Sequence, residues 1–136
     1  MKYCEMNLEH DPIIVVQVLE NDPTDESFDE YLDTYLGLLK EREKCSVILD
    51  ARLSGFLPVR YRIKQGKFLK EHDQLIQERV HGIVFVFKSI LTRFMINAIF
   101  AIKKPSYPYH LTGDMDEAFT WAKQQLDKPK EIKKAS

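Results

Sequence analysis

The sequence predicts an α/β fold: one mixed sheet of four to five strands, with an antiparallel opening hairpin, a parallel centre and helices packed on it. Three observations lead there. Segments 3–8 and 13–19 both pattern as strands, and the His10-Asp11-Pro12 link between them is too short for a crossover, so they pair antiparallel. Every later strand-like run, at 45–50, 80–87 and 109–112, is preceded by a helical pattern long enough to bring the chain back parallel. Runs 13–19, 45–49 and 80–87 are also apolar on both faces, as strands covered on two sides must be.

In 3–8, Cys4, Met6 and Leu8 alternate with Tyr3, Glu5 and Asn7, which marks a strand with one buried face. After 13–19, Asn21-Asp22-Pro23-Thr24 makes a turn, and Thr24 or Ser27 caps a helix running to about Lys44. On a 100° wheel Phe28, Tyr31, Leu32, Tyr35 and Leu39 share one side and Asp29, Glu30 and Asp33 the other. Strand 45–49 ends in Asp50-Ala51, and a loop, 52–57, leads to Pro58 in the first turn of a helix reaching about Arg79. Its inward residues are Tyr61, Phe68, His72, Leu75 and Ile76. Strand 80–87 precedes an apolar helix, 90–102, whose polar stripe is Ser89, Arg93 and Asn97 with Thr92 alongside. Pro105 stops that helix; a short strand, 109–112, and Gly113-Asp114 introduce the last helix, which turns Met115, Ala118, Phe119, Ala122 and Leu126 inward. There is no repeat and no linker, so residues 1–127 read as one domain and 128–136 as a basic, flexible C-terminal tail.

A chain of 136 residues buries about two-thirds of its surface without a disulfide or metal staple. Its 30% charged and 11% aromatic residues exclude disorder, and a net charge of −1 argues against a nucleic-acid binder. That balance conceals an asymmetry: residues 1–40 hold ten acids and two bases, a net of −8, so residues 41–136 carry +7. Opposite faces are therefore expected to differ in sign. No hydrophobic leader follows Met1, and 89–102 is shorter than the ~20 residues of a membrane span. With Cys4 and Cys45 read as reduced thiols, the expected location is cytoplasmic.

No phosphate-cradling glycine loop, nucleophile elbow or zinc spacing occurs, so no catalytic residue, metal ligand or cofactor is assigned. His72 and His81 read as structural. A phospho-receiver reading of Asp50 fails for want of a second acidic pair at a strand end and of a Lys-Pro step. Two clusters remain. Asp50, Arg52, Ser54, Gly55 and Arg60 surround a loop at the carboxyl end of a strand, where ligands collect in α/β sheets; a phosphate on Ser54 would meet a helix N-terminus and arginines 52, 60 and 62. Ser89, Arg93, Phe94 and Asn97 form the second, an interface or ligand stripe in which Arg93 faces solvent, a carboxylate such as Asp50, or an anion.

The hairpin start, the strand Ser46-Val47-Ile48-Leu49-Asp50, the segment 82–87 and above all the ending Thr112-Gly113-Asp114-Met115-Asp116-Glu117-Ala118-Phe119-Thr120-Trp121 resemble the STAS-like, SpoIIAA-type family of bacterial domains related to anti-sigma-factor antagonists. The resemblance spans roughly residues 12–126. It implies a non-enzymatic regulatory or scaffolding module that binds a partner protein, sometimes switched by phosphorylation or a ligand. The antagonists' switch serine follows an Asp, whereas Ser54 here follows Leu53. A related wing of that superfamily binds lipids. The surplus apolar surface of 90–102 accordingly suggests first a partner or homodimer interface, and alternatively a lipid or small anionic ligand held between that helix and the sheet.

Overall fold

The computed structural model describes residues 1–129; of the expected 128–136 tail, residues 130–136 lie outside the described residues. The chain runs β1 (Cys4–Asn7), β2 (Ile13–Val18), α1 (Asp25–Lys40), β3 (Cys45–Asp50), α2 (Val59–Glu71), α3 (Asp73–Arg79), β4 (Val80–Val86), α4 (Ile90–Ile102), β5 (Tyr109–Thr112) and α5 (Met115–Leu126). The strands form one five-stranded sheet in sequence order, β1-β2-β3-β4-β5. β1 pairs with β2 antiparallel and all other pairs are parallel.

That strand order decides the layers. Each parallel crossover steps to the adjacent strand in the same direction, so crossovers of one hand deliver their helices to one side of the sheet. Residues Ile14, Val16, Val18, Val47 and Ile83 indeed pack with Phe28 of α1, Tyr61 of α2, Ile76 of α3 and Met95 of α4. The alternate residues Ile13, Val15, Ile48, Val84 and Val86 meet only α5, through Ala118 and Ala122. Four helices therefore cover one face and one helix the other.

Short-range signals set the helix ends. Thr24 caps α1 by accepting from the Ser27 amide (3.0 Å) while Ser27 Oγ accepts from the Thr24 amide (2.8 Å), so both candidate caps act together. Asp114 caps α5 by accepting from the amides of Asp116 (2.8 Å) and Glu117 (3.3 Å). The buried side of α1 is the expected one, Phe28, Tyr31, Leu32, Tyr35 and Leu39, with Ser27 added.

Four expectations are corrected. The helix of 58–79 is two helices, broken at His72 (φ −106°, ψ 18°), because α2 packs on α4 while α3 turns to reach α1 and β4. α1 ends at Lys40, not Lys44; Arg42 leaves the helix and clasps Asp11 in the hairpin turn (2.9 and 3.2 Å) while donating to the Leu38 carbonyl. Tyr3 precedes β1 and does not follow its alternation; its ring packs on Phe28 and Tyr31, on the same side as Cys4. Finally, the acids of α1 and bases of α2 do not occupy opposite faces. The common crossover side makes the helices neighbours, so Arg60 meets Asp25 (3.2 Å) and Lys64 meets Asp29. These exposed pairs stabilise little, about 0–1 kcal/mol each, but they set part of the acidic and basic charge side by side.

Candidate functional site

The loops after β3 and β4 leave the same edge of the sheet, so the two candidate clusters meet at one end of the molecule. The first does not assemble as an anion site. Asp50 lies on the α5 face by its alternation with Ile48, with its side chain almost wholly buried. Arg52 closes on it in a two-pronged pair, Nε and Nη2 each 2.9 Å from a carboxylate oxygen, and the Arg52 amide adds a third bond at 3.2 Å. Burial alone would raise this carboxyl, but the Arg52 bonds and the nearby Lys88 charge outweigh it and hold Asp50 below the usual carboxylate range.

Ser54 faces the other way, half-buried beneath α4. Its amide donates to the Ala51 carbonyl (3.1 Å) and its Oγ to the Gly55 carbonyl (3.2 Å), the bonding of a turn. Arg60 is committed elsewhere, to Asp25 and to the Tyr61 hydroxyl (2.6 Å). Arg62 lies over the Phe56 ring, 5.6 Å from its centre. Asp50 and Arg52 are thus brought together, whereas Ser54, Gly55 and Arg60 are not joined to them.

In the second cluster, Ser89 is the N-cap of α4, its Oγ accepting from the Leu91 amide at 3.1 Å. Arg93 and Asn97 are exposed, and Arg93 makes no ion pair among the described residues, since Asp50 is already taken by Arg52. Inward, α4 buries Met95 and Ile96 and also Thr92. Thr92 does not stand with the exposed Arg93 and Asn97 as the sequence suggested, because it lies on the turn that faces the sheet. Outward it leaves Ile90, Leu91 and Phe94 in solvent, with Phe94 63% exposed. The loop before α2 does the same with Leu53 and Phe56 (58% exposed), and α2 adds Val59 and Ile63. The two segments are held together: the Leu57 amide points at Met95 Sδ (3.0 Å), and α2 comes so close to α4 that a Cβ on Gly66 would lie 2.6 Å from the Ile102 side chain. The apolar loop residues before Pro58 were the signal missed in the sequence: Leu53 and Phe56 sit where a loop is ordinarily polar.

Beneath this surface, between the sheet and helices α1, α2 and α4, is a cavity of about 90 Å³. Sheet residues such as Val47 and Ile83, α4 residues such as Met95 and Ile99, and the phenols of Tyr31, Tyr35 and Tyr107 line it. Among the described residues no charged side chain does.

The histidines serve packing. The His72 ring packs at a tilt on Phe68 (54° between planes), His81 Nδ1 lies 3.2 Å from the Gln125 carbonyl, and His110 stacks on Trp121 beside Glu117. Cys4 and Cys45 are buried and not joined in a disulfide, and burial pushes the Cys4 thiol up to about 12. Among the described residues no helix is long and apolar enough to cross a membrane.

No protein-family model matches this chain, and no curated protein matches its sequence.

Proposed function

We propose that this chain is a non-enzymatic, STAS-like regulatory or scaffolding domain of the cytoplasm that acts by binding another protein. The docking surface is the apolar ground formed by Leu53, Phe56, Ile90, Leu91 and Phe94 at the carboxyl end of the sheet. One observation carries this reading: large apolar side chains from two separate segments stand exposed in one neighbourhood, which soluble monomers avoid outside contact sites. Two buried cysteines that form no disulfide suit a reducing compartment.

Charge narrows the partner. Lys88 and Arg93 flank the apolar residues and make no ion pair among the described residues. A symmetric pairing of two copies would oppose like charges, so the surface suits a different protein, one presenting apolar side chains with acids at the rim.

A photo-crosslinking side chain placed at Phe94 in cells that make the protein should yield one adduct. The same group at Lys123, on the exposed side of α5, should yield none. Arg93→Glu should strongly weaken the adduct without changing the melting temperature, since Arg93 is exposed and makes no ion pair among the described residues. Equal labelling from both positions, or an adduct only with a second copy, would refute the reading.

A further inference from the structure

We infer that the cavity beneath α4 is a binding site for a small, uncharged, mainly apolar molecule that carries one hydrogen-bonding oxygen or nitrogen aimed at the Tyr35 hydroxyl. This goes beyond the docking reading and does not depend on it. Size sets the first limit. At about 90 Å³ the space is far below the ~300–1,000 Å³ of a drug-sized site, and nearer the ~150 Å³ of apolar cavities that take up benzene. It therefore encloses one ring or a short branched chain, not a lipid.

The lining sets the second limit. Among the described residues nothing charged faces the space, so an ionic ligand would lose its hydration without compensation. Burial raises the phenols of Tyr31 and Tyr35 well above their ordinary value, so they stay protonated and the site stays neutral.

The third observation is the specific one. Tyr35 is 4% exposed, and its hydroxyl has no hydrogen-bond partner among the described residues. Buried polar atoms are nearly always satisfied, and leaving one bare is costly. A ligand with one polar atom would satisfy it while its body fills space that now forfeits contact. Ser54, Gln65 and Phe100 on the lining are only partly buried, so the space reaches toward solvent where a small molecule can enter.

The test uses benzene and phenol, which differ only by the hydroxyl, titrated into the full chain with methyl groups observed by NMR. Both should shift the methyls of Ile83, Met95 and Ile99 saturably, and benzoate should not. Tyr35→Phe, which removes only the unpartnered hydroxyl, should weaken phenol about fivefold, the worth of one hydrogen bond, and leave benzene unchanged. Ile99→Trp, filling the space, should abolish both. Three results would each overturn the inference: no saturable shift of these methyls, meaning the space holds water only; shifts confined to the surroundings of Phe56 and Phe94; or a Tyr35→Phe effect that is equal for both probes.

Discussion

The two faces of the sheet are built on different plans. On the α5 face, small residues meet: Ala118 and Ala122 lie against the strands, Ser46 Oγ donates to the Ala122 carbonyl (2.8 Å), and a Cβ on Gly82 would lie 2.8 Å from both Trp121 and Gln125. One helix there sits close to the backbone and leaves no slack. On the four-helix face, large aromatics such as Phe28, Tyr31, Tyr35 and Phe68 span the gap to the sheet, and Tyr31 and Tyr35 border a cavity. Close-packed small residues give a face with one solution, whereas rings bridging a wider gap leave room for adjustment and for a guest.

The sharpest way to break this contrast is to add one carbon to each face. Gly82→Ala should cost about 2 kcal/mol, because the new Cβ must displace the Trp121 ring that is itself stacked on His110. Denaturant midpoints would register the loss, and a change near zero would show that the α5 face is not tight. A smaller effect comes from the polar edge of the same face. Asp50 has its folded pKa held below the unfolded one, so the stability it contributes is fully present above the ordinary carboxylate range, near pH 4, and is lost as pH falls through the lowered value. The loss should be about 1 kcal/mol, and Asp50→Asn should flatten the acid limb of the stability curve. An acid limb identical in the variant would remove Asp50 from the account. Least in size, and opposite in sign, is Val47→Ile on the four-helix face. Val47 lines the cavity, so the extra methylene should be accommodated and stabilise by up to about 0.8 kcal/mol. Destabilisation matching that of Gly82→Ala would erase the difference between the faces.

Much of the fold is legible along the chain. The buried side of α1, the hairpin and the cap of α5 rest on interactions within a few residues, and these appear as apolar spacing, a tight link and an Asp after Gly113. The candidate site is less legible. Asp50 and Arg52 pair only because the strand ends between them and lets the arginine turn back. The break at His72 has no glycine or proline to announce it; it answers to where α4 and β4 lie. Phe94 stood out in the apolar run 90–102, but Phe56 looked like an ordinary loop residue until the loops after β3 and β4 were brought to the same end of the sheet.

By itself, then, the sequence determined the strands and their order, the antiparallel start, and the inward side of α1, since periodicity and capping act over a few residues. Tertiary structure alone decided that α1 and α2 are neighbours joined by two ion pairs, because crossover hand and strand order set which helices share a face. It also decided that Tyr35, one more apolar-side residue on a helical wheel, ends with its hydroxyl bare beside a cavity, because that depends on side chains from α2, α4 and the sheet failing to close over it.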